Sequence, residues 1–231
     1  MRGRAVTSGS ATTSRWAKRV RWVIQSLHDR FAFRRRARVL AGLLAGLIPP
    51  NAEVLDVGCG NGAVAHLIRQ IKPAVSVRGI DVIARPDCLI ECARFNGKSI
   101  PLPDSSVDVC LLVDVLHHTG NIRELLWEAR RVARQHVLIK DHLCQSRLDH
   151  AVLSFMDWVG NRAYGIDLPY NYQSKVQWHH TLSGCGLRLV SWNEALQLYP
   201  FPFDRIFGRG LHFIGLCQKG GPFTPEVELE G

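Results

Sequence analysis

The sequence predicts an α/β protein with a mostly parallel sheet, and three observations carry that prediction. A short strand, Glu53 to Val57, runs straight into Gly58-Cys59-Gly60-Asn61-Gly62 and then into a helical segment, Ala63 to Ile71. A second strand, Val75 to Ile80, ends in Asp81. Val107 to Val113 is a continuous apolar run between Asp104-Ser105-Ser106 and Asp114, the pattern of a strand covered on both faces.

Composition sets the frame for these elements. Of 231 residues, 46% are hydrophobic and 21% charged, which excludes a mainly disordered, collagen-like or multi-span membrane chain. The net charge of +9 is local: residues 1–38 hold ten arginines and one lysine against Asp29, a balance of +10, so the rest, with 18 basic and 19 acidic residues, stands at −1. The body of the protein is therefore not a nucleic-acid binder by charge. Seven dispersed cysteines without a C-x-x-C pair point to a reducing compartment, with neither a disulfide framework nor a bound metal.

Residues 1–14 are rich in Ser, Thr and Gly, the composition of a disordered segment. From Trp16 to Arg38, arginines interleave with Trp16, Val20, Trp22, Val23, Ile24, Leu27, Phe31 and Phe33. That spacing gives an amphipathic helix able to lie on an anionic membrane surface, to bind RNA, or to pack on the body. The apolar run from Val39 to Ile48 is too short to span a bilayer. It resembles the core of a secretory signal, but Leu40, Leu43, Leu44 and Leu47 recur at helical spacing and Pro49-Pro50-Asn51 leads into the first strand. A core-facing helix and a cytoplasmic protein follow, peripheral at the inner membrane surface if residues 16–38 dock there.

Three glycines in five residues let the chain turn sharply and let a ligand approach the backbone. Asp81, about 20 residues on, stands where a ribose hydroxyl pair is held. Gly58, Gly60 and Ala63 also satisfy the dinucleotide pattern G-x-G-x-x-G/A. Asp56 tilts the choice, because a carboxylate there is unfavourable beside a pyrophosphate and favourable beside an ammonium group; its alternative role is to cap neighbouring amides.

VLDVGCGNG at 54–62, GIDV at 79–82, IPLPDSSVDVCLLVDVLHH at 100–118 and EARRV at 128–132 resemble the class I S-adenosylmethionine-dependent methyltransferases, in the type 11 group related to ubiquinone and menaquinone biosynthesis. The resemblance covers about residues 40–142. It implies a Rossmann-like seven-stranded sheet, mostly parallel, with helices on both faces and a reversed C-terminal hairpin. It also implies S-adenosylmethionine as cofactor, with Gly58, Cys59, Gly60 and Gly62 facing the methionine half and Asp81 the ribose. The family often has an acid at the position of Asn96, next to Gly97, contacting the adenine; the Asn96 carbonyl oxygen can still accept from that amino group. Pro86 interrupts the dozen residues after Asp81, which predicts a loop in place of a helix.

Asp114 becomes a cofactor or substrate neighbour, or a turn cap. His117 and His118 precede a helix from Asn121 to Val132, and either can be a base or a packing residue. The strand His136–Ile139 ends in Lys140-Asp141-His142; alternation puts Lys140 and His142 on one face and Asp141 on the other. Asp141 with His142 is the preferred acid/base pair, an ion pair of Asp141 with Lys140 or an arginine being the alternative.

Beyond residue 142 a helix from Leu148 to Ala163 and the loop Leu168–Tyr172 read as a lid, about 143–173, offering Asp157, Asn161, Tyr170 and Tyr172 to a substrate, while Phe155 and Val159 equally suit core packing. A helix over about Ser174–Ser183 follows, then strands Leu187–Trp192 and Leu211–Cys217, with the stiff loop Leu198–Phe203 between them. The expected organisation is a basic extension (1–38), one domain (39–220) and a loose acidic tail (221–231). The expected activity is methyl transfer from S-adenosylmethionine to a small or lipid-like acceptor. A nicotinamide-dependent oxidoreductase and a non-catalytic adaptor that binds RNA or membrane through its leader are the competing classes.

Overall fold

The computed structural model describes residues 34–83, 85–161 and 169–221. Strands β1 (Glu53–Val57), β2 (Ser76–Asp81), β3 (Cys92–Arg94), β4 (Val107–Val113), β5 (Ala133–His142), β6 (Leu187–Asn193) and β7 (His212–Lys219) form one sheet in the order β3-β2-β1-β4-β5-β7-β6. Pairing is parallel from β3 through β5 and antiparallel where β7 lies between β5 and β6. The α-helices among the described residues are α1 (Arg34–Leu47), α2 (Ala63–Ile71), α3 (Ile122–Val132), α4 (Arg147–Asn161) and α5 (Lys175–Gly184).

Side-chain alternation on the strands builds two apolar layers. Val109 and Leu111 of β4 join Leu40 and Leu44 of α1 and Ile68 of α2 on one face, whereas Cys110 and Leu112 join Leu125 and Leu126 of α3 and Trp178 of α5 on the other. Helix α1 buries Ala37, Leu40, Ala41, Leu44 and Ala45, with Leu43 and Leu47 packed at the margin. Each of its fully buried leucines contributes roughly 1.5–3 kcal/mol. The helix begins at Arg34, so residues 34–38 of the basic stretch lie on it. The rest of that stretch, including the candidate helix Trp16–Phe33, lies outside the described residues, as does the tail from residue 222.

Capping defines the ends of two helices. The Asn121 side chain accepts from the amides of Arg123 and Glu124 at the start of α3, and Ser174 with Gln177 forms a capping box on α5. The EARRV segment on α3 latches the preceding loop. Glu128 accepts from the Ile100 amide at 2.7 Å, and Arg131 donates to the carbonyls of Ile100 (2.9 Å) and Leu102 (2.8 Å) and to Asp104 (2.8 Å). That latch holds the loop from Asn96 to Asp104 against the sheet edge.

The described residues between β2 and β3 form turns and bends without a helix, as Pro86 led one to expect. β5 runs three residues further at each end than its apolar core predicts. At the carboxyl end the cause is its antiparallel partner, since β7 pairs with it as far as His142 opposite His212, and at the other end β4 pairs with it at Ala133 opposite Val107. The insertion after β5 closes on itself through the bridge between Leu143 and Gln173 and the bond from the Cys144 amide to the Gln173 carbonyl at 3.0 Å. Phe155 and Val159 of α4 are exposed, so core packing is not their role; Leu153 is the fully buried residue of that helix. Among the described residues no helix is long and apolar enough to cross a membrane.

Candidate active site

The carboxyl ends of β1, β2, β4 and β5 meet along one edge of the sheet, where open α/β folds bind ligands. After β1 the chain turns through Gly58 (φ 70°), Gly60 (φ 58°) and Gly62 (φ 71°), a left-handed path that L-residues rarely follow. A Cβ at Gly58 would stand 2.5 Å from Val115 Cγ2, so the turn packs directly on the segment after β4; at Gly60 it would meet nothing within 4 Å, so the turn is open there. Asp81 holds the turn from below: Oδ2 accepts from the Gly60 amide at 2.8 Å and Oδ1 from the Ile83 amide at 2.9 Å.

Asp56 is the contrasting acid. It is buried, and its Oδ1 has no hydrogen-bond partner, which excludes the amide-capping role for that oxygen. Burial, with Asp81 adding to it, pushes its carboxyl up to about 7. A buried carboxylate without a partner is costly, and a cation placed beside it relieves that cost.

Asn96 is exposed, and its Oδ1 accepts from the amides of Lys98 (2.9 Å) and Ser99 (2.8 Å). The carbonyl oxygen expected to receive an adenine amino group is thus committed to its own turn, and the side chain's free capacity is its N–H groups. Gly97 (φ 80°) completes the turn, which packs on Val82.

Asp114 closes β4 with a left-handed backbone (φ 55°). Its carboxylate pairs with both Arg36 and Lys140. Burial would raise its pKa, but Arg36 and Lys140 hold it far below the usual carboxylate range. Lys140 has no exposed surface, and burial lowers its ammonium to about 8 despite Asp114. Its Nζ lies 3.4 Å from His212 Nδ1, while His212 Nε2 lies 3.0 Å from the Phe207 carbonyl oxygen. With Nε2–H donating to that carbonyl, Nδ1 is left to accept from Lys140. The alternative ion pair of Lys140 with Asp141 is therefore not formed; Lys140 serves Asp114.

The histidines gather around Asp141. His117 Nδ1 stands 2.6 Å from Asp141 Oδ1, and Asp141 also accepts from the amides of Leu116 (3.0 Å) and His142 (2.7 Å). Asp141 thus meets two rings: it lies closest to His117, and the preferred pair with His142 is present at 3.6 Å. Because β5 continues through His142, the side chains of Lys140 and His142 take the face of Asp114, and Asp141 faces the turn Leu116–His118. The His142 ring stays 3.6 Å from Asp141 and 3.2 Å, Nδ1 to Nδ1, from His117.

On the far side of the His117 ring, Nε2 lies 3.4 Å from Asp157 Oδ2, and the Tyr172 hydroxyl donates to the same oxygen. Burial opposes protonation of His117, yet Asp141 and Asp157 outweigh it and raise its pKa. Burial, then the neighbouring His117, lowers His118 to about 4, and the same two causes lower His142. Of the three imidazoles, His117 is the one shifted toward the charged form.

Asp157 and Tyr172, expected to meet a substrate, are bonded to each other at the mouth of this cluster. Tyr170 packs 6.1 Å from Tyr172, ring centre to ring centre, and the side chain of Asn161 lies outside the described residues. Sequence reasoning missed Arg36 and His212. Arg36 stands four residues before the buried Leu40, a spacing that carries it onto the core face of α1 and could have marked it. His212 carries no such signal, since an antiparallel pairing across the sheet brings it to Lys140. Among the described residues, three groups offer donor atoms within 4.8 Å of one another: His117, Asp141 and His142; His117, His118 and Asp157; and Cys59, Cys88 and Cys92.

The sheet order, the reversed last strand and the acid-flanked glycine turn define the class: a Rossmann-like, class I methyltransferase fold. Residues 55–139 match the family described as methyltransferase domain. The demethylmenaquinone methyltransferase of Tropheryma whipplei (strain Twist) is 35% identical over 126 residues, which is 50% of this chain and 49% of that protein. The chain thus spans about half the length of this curated relative. A chain from the complex of the Haloferax volcanii Trm112 methyltransferase activator with a methyltransferase superposes with a TM-score of 0.62 at 14% identity, covering 94% of this chain and all of that one. A SAM-dependent methyltransferase from Aquifex aeolicus gives 0.56 at 19%, over 84% and 98% of the two chains. These comparisons support S-adenosylmethionine as the cofactor, and the cleft fits it: Gly60 opens to a ligand, Asp81 has lone pairs left for a hydroxyl pair, and the unpartnered Asp56 suits an ammonium group.

Proposed function

We propose that the protein transfers the methyl group of S-adenosylmethionine to a small, lipid-like acceptor whose nucleophilic atom gives up a proton in the reaction. The observation that carries this reading is the buried Asp141–His117 pair on the same strand edge as the glycine turn. An amine acceptor has no need of a base, whereas a hydroxyl or an acidic ring carbon does. The lipid-like character is supported by the curated relative, whose name makes demethylmenaquinone its acceptor, and by the exposed Phe155 and Trp158 on α4.

Bound S-adenosylmethionine supplies a methyl group already activated on a sulfonium centre. The protein's part is to bind, align and exclude water. Asp56 and the turn Gly58–Gly62 hold the methionine end and Asp81 the ribose. Asp114 is neutralised by Arg36 and Lys140 and shapes the wall between the turn and the histidines.

His117 is the base. Asp141 fixes its ring through Nδ1–H and stabilises the imidazolium that forms when Nε2 takes a proton. In the resting chain Asp157 faces Nε2 and favours the charged ring. An acceptor hydroxyl entering between Nε2 and Asp157 parts the two and lowers the ring's affinity for its Nε2 proton, which leaves to solvent as the acceptor seats; the neutral ring then takes the hydroxyl's proton at Nε2 as the oxygen takes the methyl group. The neutral His118 and His142 pack against that ring and keep water from it.

The test is incubation of the purified chain with methyl-labelled S-adenosylmethionine and a lysate separated into lipid, small-molecule, RNA and protein pools. Label is expected in the lipid or apolar small-molecule pool; label confined to RNA or protein overturns the acceptor class. The nicotinamide alternative is tested by calorimetry, where S-adenosylhomocysteine is expected to give heat and a nicotinamide dinucleotide none.

A further inference from the structure

Cys59, Cys88 and Cys92 are far from a metal-binding spacing in sequence, with 28 residues between the first two and three between the last two. The fold brings them together beside the glycine turn. Their sulfurs all lie within 4.8 Å of one another, and Cys59 Sγ is 3.3 Å from Cys92 Sγ.

The cluster sits in space that side chains have vacated. A Cβ at Gly79 would stand 2.5 Å from Cys59 Sγ, and one at Gly62 would stand 3.2 Å from Cys88 Sγ. All three residues are half-buried, which leaves a path from solvent. The unpartnered Asp56 carboxylate is close enough to act electrostatically on Cys59, which makes the surroundings favourable to a cation.

We propose that Cys59, Cys88 and Cys92 form a binding site for a thiophilic divalent cation of the zinc class, bound through three sulfurs with a fourth position left to water. A tetrahedral ion with bonds of about 2.3 Å holds its sulfurs about 3.8 Å apart, a separation that lies between the 3.3 Å contact and the 4.8 Å limit seen here. Three converging sulfurs, where a disulfide uses two, favour an ion over oxidation. Thiolates select this class of metal over magnesium or calcium. On coordination each thiol releases its proton to solvent, so zinc uptake rises with pH.

An occupied site ties the glycine turn to the segment Cys88–Cys92, and linkage requires that zinc and any ligand of the turn alter each other's affinity by the same factor. The site itself is independent of methyl transfer, because zinc is measured with no methyl donor present.

The experiment uses the full chain, freshly reduced, titrated with zinc ion alone against a chromophoric chelator, and with cadmium ion alone to read the sulfur-to-metal charge-transfer absorption. One equivalent is expected, with Cys88→Ser and Cys92→Ser each weakening zinc at least tenfold and diminishing the cadmium band. Cys144→Ser, outside the cluster, is expected to change neither. Circular dichroism of each variant shows that it is folded. Zinc affinity equal in the wild type and in the folded Cys88→Ser and Cys92→Ser variants overturns the proposal, as does a reduced wild-type chain with no affinity for zinc.

Discussion

His117 and Asp141 meet at 2.6 Å with both side chains almost wholly removed from solvent, 24 residues apart in sequence and on different elements of the same sheet edge. Asp141 also accepts from the backbone amides of Leu116 and His142, and the His142 ring lies 3.6 Å away, so the carboxylate is fixed before any ligand arrives. That rigidity is what a positioning carboxylate needs.

Asp141→Asn is therefore expected to slow methyl transfer by about 10²–10⁴-fold, the range of a lost general base, while the affinity for S-adenosylhomocysteine changes by less than about threefold. Single-turnover kinetics and calorimetry measure the two quantities. His117→Ala is expected to match it, and to remove the acidic limb, the fall in rate at low pH that a base with a raised pKa gives. Equal loss of turnover and of product affinity argues against the base role.

Asp56 predicts a proton count. Its folded pKa of about 7 lies above the unfolded value of about 3.9, so the stability it contributes is fully present below about pH 4 and is lost as pH rises through 7. Asp56→Asn, which needs no ionisation, is accordingly expected to gain stability over the wild type between pH 6 and 8 in thermal melts. An ammonium-bearing ligand at Asp56 forces it to ionise. S-adenosylhomocysteine binding at pH 7 is thus expected to release a substantial fraction of a proton from the wild type and none from Asp56→Asn. Calorimetry in buffers of different ionisation enthalpy reads that difference.

Arg36 couples α1 to the site through Asp114. Deleting residues 1–33 keeps Arg36 in the chain and serves as the comparison variant. Arg36→Met removes one of the two cations on Asp114 and is expected to cost about 1.5–3 kcal/mol, the range for a hydrogen bond to a charged group. Chemical denaturation of the two variants measures that cost.

Much of the fold was legible because its local signals agree. Apolar runs, the glycine turn and capping residues such as Asn121 place strands and helices on their own, and the acids at strand ends follow from the parallel sheet. Asp56, Asp81 and Asp114 were readable for that reason. The partner of Asp141 was not, since the residues next to it in sequence, Lys140 and His142, point to the other face, and choosing His117 requires knowing that the turn after β4 folds over the end of β5. Arg36 was hidden within a charge run, where one half-buried arginine looks like its solvated neighbours Arg34 and Arg35. The three sulfurs show the same limit, because β2 and β3 align side by side only in the folded sheet.

Gly58 gives a last prediction, in which sterics and backbone conformation can be told apart. A Cβ there meets Val115 Cγ2 at 2.5 Å, closer than real Cβ contacts come, and it must also adopt φ +70°. The conformation alone costs an L-residue about 1–2 kcal/mol. Gly58→Ala is expected to lose stability by more than that and to weaken S-adenosylhomocysteine at least tenfold, because the turn that faces the methionine end must shift. Adding Val115→Ala removes the clash but not the conformational cost, and it opens a small cavity of its own. The double variant is therefore expected to recover part of the lost affinity while remaining less stable than the wild type. Denaturation midpoints with calorimetry on the four proteins of this cycle measure the coupling. If the two substitutions simply add, Val115 is not what the turn rests on.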